Sequence, residues 1–272
     1  MQRPKIFFIR INIMLNQIFS KKIAGQGPMN FILIHNAGGS NTMFTYQVDM
    51  LLKHGNVVLI DLPGHGASAV SNQNSINHSS ELIHEICTYY GLDNIWLIGL
   101  NIGANIAINT AHTQHLTLSG MILIDPPLLM NPQLRSKLEE FISSVESKSY
   151  DSYAEELVND LLANTNKAEK IIALKEFRRA DLDSLKQVYR SLLDWDHDAK
   201  DIVSSISIST LCILTDEVLC SYEMVKQAAP QFILGKVIES KCWATLEVPE
   251  QVNAMIERFL IIHNKAKSDK KL

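Results

Sequence analysis

The chain has no run of about eighteen or more apolar residues, so a membrane-spanning helix is not expected. Cysteine is scarce. Cys87, Cys212, Cys220 and Cys242 show no C-x-x-C spacing, and three of them fall in or near apolar runs. That usage points to reduced thiols in a cytoplasmic protein, not to a disulfide framework or a zinc site. An excess of positive charge is also missing. With 25 Lys and Arg against 29 Asp and Glu, the net charge of −4 supplies no basic field for nucleic acid. The opening apolar patch, Ile6-Phe7-Phe8-Ile9, is broken by Arg10 and has no small-residue cleavage site, which argues against a signal peptide. No internal repeat or low-complexity linker divides the chain.

What is present is a succession of short apolar runs that end in turn residues. Phe31-Ile32-Leu33-Ile34 leads into His35-Asn36-Ala37-Gly38-Gly39-Ser40, and Val57-Val58-Leu59-Ile60 into Asp61-Leu62-Pro63-Gly64-His65-Gly66. Met121-Ile122-Leu123-Ile124 leads into Asp125-Pro126-Pro127. Strands apolar at every position suit a parallel sheet covered on both faces. Residues 79–90 carry helical periodicity between two such runs, so the expected fold is α/β, doubly wound and mostly parallel, with its functional loops at the carboxyl ends of the strands. From about 128 to 206 the strand signal gives way to amphipathic pieces at 134–145, 153–164 and 182–193. Strands resume at 210–214 and 232–238. A last helix lines up Val252, Met255, Ile256, Phe259, Leu260 and His263 on one face. The expected division is an N-terminal extension (1–13, with Met14 an alternative start), core sheet (14–127), helical cap (128–206), core sheet again (207–264) and a disordered tail (265–272).

Gly99-Leu100-Asn101-Ile102-Gly103 lies between the apolar run 95–98 and a small-residue helix. Strand, tight turn and helix form the setting of a G-x-S-x-G nucleophile elbow. Here the central residue is Asn101, whose amide nitrogen is not a useful nucleophile.

Together these turns resemble the α/β-hydrolase superfamily, the single-domain type with a helical cap after strand six, across residues 14–263. His35 to Ser40 is similar to the family's H-G-x-G-G-S turn, Asp61 to Ser68 to its D-x-P-G-x-G-x-S loop, and Cys242 to Glu250 to its H-W-x-x-L-E-x-P-E run. The resemblance puts Asn101 at the serine position, Val218 at the acid (three beyond Thr215, which stands at a family glycine) and Cys242 at the histidine. It also implies an oxyanion site at the Ile102 N–H, facing Asn36 and Ala37 beside His35. Asp216 and Asp125 are substitute acids, and His65 is the best surviving imidazole.

Hydrolysis needs a hydroxyl nucleophile, an imidazole and an orienting acid, and all three positions depart from the pattern. Two readings stay open. One is a catalytically silent scaffold that binds a small apolar or ester-like molecule, or a protein partner, in a pocket floored by Asn101. The other is an ester hydrolase with relocated residues, in which His65 or His197 approaches Asn101 or Cys242. A cofactor-free lyase or oxygenase also borrows the family histidine, so Cys242 counts against it. A redox pair of Cys220 and Cys242 is weaker than two unrelated small hydrophobes. No cofactor, metal, membrane or nucleic acid is expected.

Overall fold

Eight strands form the frame: β1 (Ile6–Phe8), β2 (Ser20–Ile23), β3 (Met29–Ile34), β4 (Gly55–Ile60), β5 (Ile95–Leu100), β6 (Leu118–Ile124), β7 (Thr210–Leu214) and β8 (Ile233–Lys236). This computed structural model describes residues 6–8, 18–114, 116–144, 155, 158–160, 162, 167–216, 219 and 222–269. The sheet order is β1-β2-β4-β3-β5-β6-β7-β8. β2 runs antiparallel to both its neighbours, β1 and β4, and the remaining pairs are parallel.

Every residue of β3 and β5 is buried, as continuous apolar runs in a two-sided parallel sheet require. The pleat then divides their side chains. Ile32, Ile34 and Leu97 join one core, while Phe31, Leu33, Trp96 and Ile98 join the other. The helices are α1 (Val48–Leu51), α2 (Ile76–Tyr89), α3 (Ile102–Thr113), α4 (Pro132–Ser144), α5 (Lys167–Arg179), α6 (Leu182–Trp195), α7 (Ala199–Ser205), α8 (Tyr222–Ala228), α9 (Ala244–Glu247) and α10 (Pro249–Asp269). Residues from α2, α3 and α4 to α7 share the first core, and α10 covers the second.

Helices α4 to α7 all fall between β6 and β7, and α5 carries an unusual inner face. Its buried positions are Glu169, Ala173, Glu176 and Phe177, a helical spacing that places two carboxylates among core residues.

Ile6–Phe8, within the expected N-terminal extension, pair with Ile23–Lys21 as an antiparallel edge strand. The expected disordered tail is instead helical as far as Asp269, and residues 264–269 contain neither Gly nor Pro to stop α10.

Candidate functional site

Two glycines let the end of β5 and the start of α3 come together. A Cβ on Gly99 would lie 2.4 Å from the Ala104 backbone nitrogen, and one on Gly103 2.1 Å from the Ile34 carbonyl oxygen. Only hydrogens fit there. Between them Asn101 adopts φ 51° and ψ −121°, outside the regions that L-residues favour. Such a conformation costs on the order of 1–3 kcal/mol. It is held by the Asn101 N–H donating to the Ile124 oxygen at 2.8 Å and by the Asn101 oxygen accepting from the Ala104 N–H at 2.8 Å.

The Ile102 N–H was expected to be open to a ligand, and it is not. It donates to Oδ1 of Asn101 at 2.8 Å. Asn101 therefore satisfies the first N–H of its own helix with its side chain.

Asp125 follows β6, one strand along from Asn101, and also has positive φ, 48°. Its Oδ1 accepts a 2.9 Å hydrogen bond from Thr215 Oγ1, which ties the ends of β6 and β7 together. Asp216, proposed as a substitute acid, turns away. Its carboxylate pairs with Lys236 Nζ at 3.1 Å and accepts from the Glu239 N–H at 2.7 Å, and the side chain is 45% exposed. These contacts hold its carboxyl below the usual carboxylate range. Val218 and Cys220 lie outside the described residues.

Cys242 is a buried cysteine just before Trp243. Its loop is fastened by Glu247 of the same motif, whose Oε2 accepts from Ser240 Oγ at 2.9 Å and the Lys241 N–H at 2.8 Å. The motif's glutamate thus serves loop geometry.

The imidazoles are engaged elsewhere. His35 donates from Nδ1 to the Asn36 oxygen at 2.7 Å and accepts the Leu62 N–H at Nε2 at 2.9 Å, which fixes it as a neutral tautomer. His65 donates from Nδ1 to the Pro63 oxygen at 2.9 Å. The two rings lie 5.3 Å apart. Burial lowers both pKa values, that of His65 to about 3, with the His35 neighbour adding to the effect. His197 is exposed and bonds the Asp194 oxygen at 3.1 Å. His263 stacks edge-on to Trp96, near the start of β5 and so at the opposite end of that strand from Asn101. His65, the best surviving imidazole by sequence, is therefore a turn-stabilising group, and His197 is held on the surface.

Helices α5 and α6 close tightly over these loops. Positive φ at Gly38 and Gly64 lets the chain approach so near that a Cβ would meet Phe177 at 2.2 Å and Ser184 Oγ at 2.1 Å respectively. The Asp181 N–H donates to the Gly64 oxygen at 2.8 Å, and Arg179 Nη2 reaches the Gly66 oxygen at 3.3 Å. Asn36, Ala37 and Ile102, expected to line a pocket, are buried beneath this closure. An open cleft of about 1040 Å³ lies elsewhere, on the flank between α2, α3, α6 and α7, with Asn77, Asn109, Gln187 and Asp198 in its walls. The sequence reading missed Glu176. Only its place on the inner face of α5, beside Phe177, could have marked it.

A model of the α/β-hydrolase fold matches residues 30–170, and the chain belongs to that family. It is similar to the dihydrolipoyllysine-residue acetyltransferase component of the acetoin cleaving system of Pseudomonas putida, at 22% identity over 89% of this chain and 66% of that one. It is also similar to ethanol acetyltransferase 1 of Cyberlindnera fabianii, at 23% identity over 42% of this chain and 35% of that one. The chain thus spans less than two thirds of these curated relatives' lengths. Among solved structures, a thermophilic esterase from Thermogutta terrifontis superposes with a TM-score of 0.80 at 19% identity, covering 95% of this chain and 99% of that one. At such identity the likeness is one of fold, and function has to be argued from the site.

Proposed function

We propose that this chain is a catalytically silent member of the α/β-hydrolase family that binds a small molecule where the cap meets the sheet. One observation carries the reading. Asn101 occupies the strained nucleophile seat, and its own amide oxygen takes the Ile102 N–H that an oxyanion would need. An amide has no ionisable hydroxyl to form an acyl intermediate, and the histidine position holds Cys242. Loss of nucleophile or base alone costs a serine hydrolase about 10⁶ in turnover. The buried cysteines Cys87, Cys212 and Cys242, none in a disulfide, fit a reducing, cytoplasmic setting.

The test is turnover of short- and medium-chain nitrophenyl esters by the wild type, by Cys242→Ala, and by Asn101→Ser combined with Cys242→His. The expected result is no wild-type turnover above the buffer rate. Wild-type activity lost in Cys242→Ala would replace this reading with a relocated ester hydrolase using that thiol. Activity gained only in the double variant would support it, since the scaffold would then need nothing but its missing groups.

A further inference from the structure

The bond that fills the nucleophile seat also brings two reactive atoms together. The Ile102 nitrogen lies 2.8 Å from Asn101 Oδ1, and Cγ is the carbon bonded to that oxygen. The backbone holds them in an unusual alignment. In an L-residue Cβ is turned about 120° from the backbone nitrogen around the Cα–C bond, so ψ −121° eclipses Cβ with the next nitrogen. A five-membered imide ring of Cα, C, the next nitrogen, Cγ and Cβ has that same alignment. Ile102 is the first residue of α3, so its N–H gives up no bond to a helix carbonyl if it reacts. Asn101 is half-buried, which leaves water a path to it.

We propose that Asn101 is a self-modifying residue, which cyclises onto the Ile102 nitrogen and opens to aspartate. The Ile102 nitrogen passes its proton to hydroxide and bonds to Cγ. The Cγ–Nδ2 bond breaks, and Nδ2 takes a proton from water and leaves as ammonia. Water then adds to Cγ, the bond from Cγ to the Ile102 nitrogen breaks, and that nitrogen regains its proton. One water is consumed, one ammonia is released, and residue 101 carries a carboxylate. Opening at the main-chain carbonyl would lengthen the backbone by one carbon. The backbone contacts at Gly99 and Gly103 leave no slack for that, so the ring opens at Cγ. A carboxylate at the start of α3 also suits the positive end of the helix dipole. The inference goes beyond the binding reading and does not depend on it.

Asn105 supplies an internal comparison. Isoleucine follows it too, but Asn105 lies inside α3, is buried, and donates from Nδ2 to the Pro127 oxygen at 3.0 Å. A helical ψ of about −42° turns its Cβ out of line with the Ile106 nitrogen.

The experiment is peptide mapping by mass spectrometry of the full chain, held at pH 7 and at pH 9, both native and unfolded in guanidinium chloride. Native Asn101 is expected to convert to aspartate at least tenfold faster than Asn105, and at least tenfold faster than Asn101 in the unfolded chain. Ammonia should appear in equal amount, and the rate should rise with pH because hydroxide takes the Ile102 proton. Asn101→Gln, whose longer side chain would need a six-membered ring, should lose the rapid conversion, and Asn101→Asp marks the product peptide. The proposal is overturned if native Asn101 keeps its amide, or converts no faster than Asn105 or the unfolded chain. It is equally overturned if isoaspartate is the main product, or if Asn101→Gln converts as fast.

Discussion

At the scale of single residues, His65 makes the clearest demand on solution conditions. Its pKa falls from about 6.5 to about 3 on burial, so between those values the unfolded chain holds a proton that the native one refuses. Stability therefore rises with pH across that window and is lost as pH falls below 6.5. From pH 6.5 to pH 5 the loss from His65 is about 2 kcal/mol, at roughly 1.4 kcal/mol per unit. His35 acts in the same direction. Urea unfolding at pH 7 and pH 5 should show a smaller acid penalty in His65→Gln than in the wild type, by about that amount. Parallel losses would mean that His65 is already protonated in the native protein. The turn at Asn101 was plain from the sequence: it stands between a strand and a helix, as the flanking pattern predicts. What Asn101 does with its oxygen was not, because a side-chain rotamer bonding the next N–H leaves no trace in a residue pattern.

Among elements, the junction of β5 and α3 is the least tolerant. Gly103→Ala would drive a methyl into the Ile34 carbonyl, which is backbone and cannot swing aside. Overpacking of this kind costs about 1–3 kcal/mol, and thermal unfolding of the variant should show a lowered Tm. An unchanged Tm would mean that the helix start can shift away from β3. These strands were legible because burial on both faces leaves an uninterrupted apolar run, and the motif glycines because a close approach admits nothing larger. Helix α5 was hard to read for the opposite reason. Charged residues surround it, and Glu169 and Glu176 occupy inward positions that a hydrophobic stripe would mark with apolar side chains.

Over the whole molecule, the helices between β6 and β7 share one interior with the sheet. Phe177, Leu185 and Trp195 belong to the same buried cluster as Ile83, Ile106 and Leu123, so these helices have no separate interior to retain once the sheet opens. Thermal unfolding followed by tryptophan fluorescence and by far-UV circular dichroism should give one coincident transition. Phe177→Ala should move both signals together, at a cost of about 3–5 kcal/mol. Melting of these helices ahead of the sheet would separate the two curves. The 2.8 Å bond from Ile102 to Asn101 has a practical corollary for anyone screening ligands. A carbonyl compound seeking that N–H meets a rival fastened one residue away, at a local concentration that no dissolved molecule can reach. In this sense the chain carries its own resident inhibitor. Ester analogues should be offered first to Asn101→Gly, which keeps the turn and removes the occupant.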